Sequence, residues 1–205
     1  LDTYQEVRGA WSTWTRAIGA NDAYGADMHV AWTGATAPTL TDVDGLYNYP
    51  SVSMNSPAIG NVTSISTDKW PFRLSSSYST TMWADIALDT VGANGASVLI
   101  GLYNAGTGAG IYFSKVNSDT TWRCITNTGA ANTNANSGIT PVVNIPNRMR
   151  IELFGSGTPT GLKAKFYIDD ALVATNTTNI TEPSLYAPTF LLSGTAVNTT
   201  FARLG

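Results

Sequence analysis

The chain has 205 residues, a net charge of −3 from 11 Lys and Arg against 14 Asp and Glu, and only 12% charged residues. With so few cations, scattered along the chain, a nucleic-acid surface is excluded, because neutralising phosphates takes clustered Lys and Arg. A single cysteine excludes internal disulfides, no apolar run reaches the roughly 20 residues of a membrane span, and no signal peptide is read at the start.

The chain opens on Leu1 rather than Met, as expected of material processed or cut from something longer. Its first 50 residues alternate weakly yet hold Trp11, Trp14, Tyr24, Trp32, Tyr47 and Tyr49. A sandwich core has no obvious place for all of these rings. Residues 1–55 are therefore expected to form an arm or irregular outer segment, with Trp11, Trp14, Trp32, Tyr47 and Tyr49 as assembly contacts. The competing reading folds this segment back over its own sandwich. A short turn near "WSTWTRAI" is the one helical signal. His29, the only histidine, rules out a histidine zinc cluster. It lies beside no nucleophile motif, so a packed or hydrogen-bonded role is expected. "TDVDG" has the composition of a calcium loop, but an EF-hand register would put Leu40 and Ser51 at the end ligand positions. No metal and no cofactor is expected.

From about residue 56 to 205 the signal is period-2 alternation, which predicts one β-sandwich domain. "TMWADIALD" sets Met82, Ala84, Ile86 and Leu88 against Trp83, Asp85, Ala87 and Asp89. "SVLIGLYN" and "GIYFSKV" flank the glycine-rich hairpin "AGTGA". The glycines of "GTGAG" join two strands rather than a strand and a helix, so the phosphate-loop fingerprint fails its context test. "TWRCITN" puts Cys124 on one face with Trp122, which predicts a small buried hydrophobe. Residues 127–147 read as a long polar connection with one short strand at most. "RMRIELF" and "LKAKFYI" then alternate cleanly, as antiparallel strands with one wet face do. Between "LKAKFYI" and "ALVATN" only Asp169 and Asp170 remain. That spacing predicts a two-residue hairpin turn with positive φ, which Asp tolerates. A metal site there would need further oxygen ligands, and the sequence offers none nearby.

"RMRIELFG" followed by "KFYIDDALVATNTTNI" resembles the C-terminal half of concanavalin A-like (laminin-G-like) jelly-roll domains of the kind found in bacteriophage virion proteins. The stretches "SVLIGLYNAGTGAGIYFSKV", "TWRCITNTG" and "APTFLLSGTAVNTTFARLG" are similar to the same series, so the resemblance covers about residues 60–205. Asp170 departs from it, since the family prefers Gly there. The resemblance implies an all-β, antiparallel two-sheet jelly roll whose concave face binds sugars in lectins.

The family's glycosidases carry a motif resembling E-x-D-x-x-E, and none of Glu6, Glu152 and Glu182 stands in that pattern. Asp85 and Asp89 share a strand face but lie roughly 13 Å apart, beyond the 5–9.5 Å or so of glycosidase carboxylate pairs. They read as a solvated sheet edge, and no catalytic residue is expected. Trp83 and Tyr167 fall on the polar faces of their strands, with Tyr103 and Tyr112 as further candidates. These four could stack on sugar rings, or pack under the opposite sheet, a loop or a neighbouring subunit. The expectation is thus a non-enzymatic structural or binding module of a phage virion: a capsid decoration, head-fibre or tail-fibre domain. Its partners would be itself, as a homo-oligomer, or other virion proteins. The alternatives are an extracellular carbohydrate-binding module with a surface glycan as partner and, third, a glycoside hydrolase or lyase.

Overall fold

The structure, a computed structural model, describes residues 30–33, 39–41, 51–56, 62–67, 72–74, 79–88, 97–116, 118–155, 161–180, 185–193 and 200–204. They form β1 (Val30–Thr33), β2 (Thr39–Thr41), β3 (Ser51–Ser56), β4 (Val62–Thr67), β5 (Phe72–Arg73), β6 (Thr80–Leu88), β7 (Ser97–Tyr103) and β8 (Ala109–Lys115). The chain continues through β9 (Arg123–Thr128), β10 (Asn132–Asn136), β11 (Asn147–Phe154), β12 (Lys163–Ile168), β13 (Ala171–Asn176), β14 (Leu185–Ser193) and β15 (Thr200–Leu204). Among the described residues there is no helix.

Two antiparallel sheets result. One runs β1-β4-β14-β7-β8-β9-β10, with β5 added to β14, and the other runs β13-β12-β11-β6-β15-β3-β2. Neighbours far apart in sequence, such as β4 with β14 and β6 with β15, are the long crossovers of a jelly roll. Residues 1–55 supply β1 and β2 at sheet edges and β3 one place in. The assembly candidates Trp11, Trp14, Tyr47 and Tyr49, together with His29 and the 41–45 loop apart from Thr41, lie outside the described residues. Trp32 is described only as the β1 residue paired with Ile65.

The core sits between the sheets where alternation places it: Ile100, Ile111, Phe113 and Phe190 from one, Ala84, Ile86, Met149, Ile151 and Phe166 from the other. Phe113 and Phe166 meet edge-to-face at 5.2 Å across the interface, an arrangement worth about 0.5–1.5 kcal/mol beyond area burial. A void of about 10 Å³ between Met82, Ile100, Phe113, Met149 and Ile151 holds at most one water and is apolar. Trp122 and Cys124 are both fully buried. Burial pushes the Cys124 thiol up to about 12, as expected of an inert packing residue. Trp122 Nε1 donates to Asn147 Oδ1 at 3.2 Å, and Asn147 Nδ2 in turn donates to Asp169 Oδ2 at 3.0 Å. This chain ties the start of β9 to the β12–β13 turn through satisfied polar groups.

Asp169 and Asp170 have φ of 50° and 65°, the paired positive values of a two-residue hairpin. Asp169 does more than turn the chain, because its Oδ1 also accepts from the Arg148 backbone N–H at 2.8 Å. In the β7–β8 hairpin, the N–H groups of Gly106 and Thr107 both donate to Asn104 Oδ1. They are turned inward, so this glycine loop offers no anion cradle. β9 runs on to Thr128 and β11 starts at Asn147, and the connection between them holds one strand, β10.

Candidate functional site

β6, β11 and β12 lie side by side, and their register puts Trp83 opposite Arg150 and Arg150 opposite Tyr167. The core-facing residues alternate with these, so the three side chains form one row across the outer face of the sheet. Two strand spacings separate Trp83 from Tyr167, roughly 10 Å. Leu172 of β13 extends the row opposite Tyr167 and is 54% exposed.

The middle of the row is a locked cluster. Arg150 Nη1 donates to Glu152 Oε1 at 2.7 Å, while its guanidinium carbon stands 4.1 Å above the Tyr167 ring, a cation–π contact. Arg150 Nε is buried and has no hydrogen-bond partner. The Tyr167 hydroxyl pKa is raised, first by desolvation and then by the neighbouring Glu152 carboxylate, with Arg150 opposing. Trp83, at 50% exposure, has the largest uncovered ring among the described residues. Its uncovering has a cause in the register. β15 pairs with β6 only from Ile86 to Leu88, so no described strand flanks Trp83 on that side.

Asp85, on the same face, overturns one sequence expectation. It is no solvated edge: β6 lies inside the sheet, Asp85 is buried, and its Oδ1 accepts from Arg148 Nε at 3.2 Å. Asp89 lies outside the described residues.

Tyr103 and Tyr112 belong to the opposite sheet, on β7 and β8. Phe113 of β8 points into the core, so Tyr112 points out, yet it is only 9% exposed. Its cross-strand partner is Gly101, and a Cβ on Gly101 would come within 2.6 Å of Tyr112 Cβ. The ring lies down in the space that Gly101 and Gly110 leave open. Tyr103 meets it edge-on at 5.8 Å. Burial raises the Tyr112 hydroxyl pKa, partly offset by a bond from Asn127. The four aromatics read from sequence therefore divide between two opposite faces, and no single ligand surface holds them all. Arg150, which organises the row, was read in the sequence only as the polar side of a strand, and Glu152 was besides weighed and set aside as a glycosidase carboxylate.

No protein-family model and no curated protein matches the sequence. Solved structures do. The Emp47p carbohydrate recognition domain aligns with a TM-score of 0.58 and 12% identity over 84% of this chain and 87% of that one. A legume lectin-like domain from Entamoeba histolytica aligns with a TM-score of 0.53 and 12% identity over 86% and 88%. An endo-β-1,4-glucuronan lyase from Trichoderma reesei gives a TM-score of 0.57 and 9% identity over 90% and 91%. The fold is a concanavalin A-like jelly roll. At these identities the likeness carries fold alone, and both lectin domains and a polysaccharide-cleaving enzyme share it.

Proposed function

We propose that this jelly roll is a non-enzymatic carbohydrate-binding module whose ligand lies on the outer face of β6, β11 and β12. The observation that carries the reading is the half-exposed Trp83 ring beside the Arg150–Glu152–Tyr167 cluster. An uncovered ring offers an apolar face to a sugar, and the rigid polar groups next to it offer hydrogen bonds to hydroxyls. Carbohydrate recognition domains among the structural neighbours support it as analogues of the fold. The virion setting suggested by the resemblance is not represented by the three neighbours named above. An extracellular module is therefore the setting we put forward.

The carboxylates of this face support a binding role over a hydrolytic one. Asp85 stands opposite Arg148 on β11, and Glu152 lies four residues further along that strand, roughly 13 Å away. Glycosidase pairs stand about 5–9.5 Å apart. Each of the two is also held by an arginine, so its oxygens are already engaged within the sheet face. The test is affinity electrophoresis and calorimetry against a panel of polysaccharides with wild type and Trp83→Ala. The expected result is binding that falls at least about tenfold in the variant, with no release of reducing ends or unsaturated products. Unchanged binding by Trp83→Ala would overturn the placement of the site.

A further inference from the structure

We infer that the ligand is an anionic polysaccharide, bearing carboxylate or sulfate groups, an inference that rests on the glycan-binding reading above. The chain as a whole is acidic, with eleven Lys and Arg and a net charge of −3. Four of those eleven cations, Arg148, Arg150, Lys163 and Lys165, nonetheless point out from the adjacent strands β11 and β12 onto the proposed binding face. Against them, among the described residues of this face, stand Asp85 and Glu152, and both are already paired with arginines.

The two lysines are left over. Lys165 is the cross-strand partner of Glu152, the position from which a salt bridge would ordinarily form. Glu152 is instead committed to Arg150, and Lys165 Nζ sits 4.9 Å from the Phe154 ring. Lys163, the cross-strand partner of Phe154, is exposed. Neither lysine has an ion-pair partner among the described residues. Lys163, Lys165 and Tyr167 follow one another at every second residue of β12, so they make an outward line of roughly 13 Å. A sugar stacked at the Trp83–Tyr167 end would carry its neighbours along that line. Charges spaced along the polymer would then meet the two ammonium groups. The arrangement also discriminates: a neutral glycan would leave both lysines in water and gain nothing from them, whereas a polyanion gains at each.

The experiment compares wild type, Lys163→Gln/Lys165→Gln and Trp83→Ala by calorimetry on three polymers: a polyuronate, a sulfated glucan and an unsubstituted glucan, at low and at physiological salt. The expected result is preference for one or both charged polymers, weakening as salt rises. In the double lysine variant, the charged polymer should bind roughly five- to thirtyfold less well, with an unchanged melting temperature. The polyuronate and sulfate arms identify which anion is read. Binding of the neutral glucan as tight as that of the charged polymers overturns this inference and leaves the glycan-binding reading standing. Charged-polymer binding that survives Trp83→Ala overturns it too, because bare charge attraction would then suffice. Absence of binding to all three polymers removes the glycan-binding reading and this inference with it.

Discussion

Tyr112 on β8 and Trp83 on β6 obey the same alternation rule and both point away from the core, yet one is 9% exposed and the other 50%. What differs is the partner across the strand. Tyr112 faces Gly101, with Gly110 beside it, and an aromatic opposite glycines lies flat in the hollow they leave. Trp83 faces Arg150, whose guanidinium is already drawn to Tyr167 and Glu152. That arginine cannot also cover the indole. One outer face has thus become a packed layer and the other has kept a ring in water.

The comparison breaks most sharply at Gly101. A Cβ there would come within 2.4 Å of the Ile111 carbonyl oxygen and 2.5 Å of Tyr112 Cα. Both obstacles are backbone of a central strand, so neither can swing aside. Gly101→Ala is expected to cost more than about 4 kcal/mol or abolish folding, measured by urea denaturation. Trp83→Ala, by contrast, should cost about 1 kcal/mol or less, since half the ring already meets water. If Gly101→Ala were as stable as Trp83→Ala, the packed-face account of Tyr112 would be wrong.

Lys115 sharpens the same contrast between a charge the fold hides and charges it displays. It ends β8 at 1% exposure, and its Nζ has no hydrogen-bond partner. Burial lowers its pKa from the ordinary 10.5, with Asp119 pulling the other way. A lowered lysine pKa means the unfolded chain binds the proton more tightly than the native one. The penalty is therefore fully present below the native pKa and lifts as pH rises from there toward 10.5. Lys115→Met should stabilise the domain by on the order of 1–3 kcal/mol at pH 7. The gain should shrink in the alkaline range, where wild type loses its penalty. A destabilised variant at pH 7 would show that the ammonium is satisfied in a way the structure does not reveal.

How far the sequence carried can be judged from the same residues. Alternation separated the inward and outward sides of β6, β11 and β12, because side-chain parity follows directly from a strand's two-residue repeat. It could not give the partner across each strand, which depends on register between segments far apart in the chain. The β6–β11 pairing joins residues more than 60 positions apart, as Arg148 and Asp85 are, and no local pattern encodes that. Asp85 was misread for this reason: its strand looks like an edge until β11 and β15 are known to flank it. Tyr112 was legible as outward, but its burial was written in two glycines on other positions. β1, β2 and β3 were read only as an arm or irregular outer segment because runs of 4, 3 and 6 residues are too short for a two-residue period to stand out. Any truncation that tests assembly through the N-terminal aromatics must stop before β1.

The smallest expected effect concerns the turn that ties these strands together. Asp169 and Asp170 both hold positive φ, but their side chains differ in employment. Asp169 accepts from the Arg148 backbone N–H and from Asn147 Nδ2, so it anchors the start of β11 and, through Asn147, the buried Trp122 indole. Asp169→Ala removes a charged acceptor from two donors and should cost about 1–2 kcal/mol. Asp170 is exposed and stands where the resembling family prefers Gly. Glycine reaches φ of 65° without the Cβ penalty, at the expense of a floppier unfolded chain. The two terms oppose each other, so Asp170→Gly should be neutral or stabilising by at most about 1 kcal/mol. Thermal melts of the two variants, with and without added calcium, decide the point. A loss at Asp170 that matches the loss at Asp169, or that appears only on removing calcium, would mean that the pair acts as a joint ligand rather than as a turn with one anchored side chain.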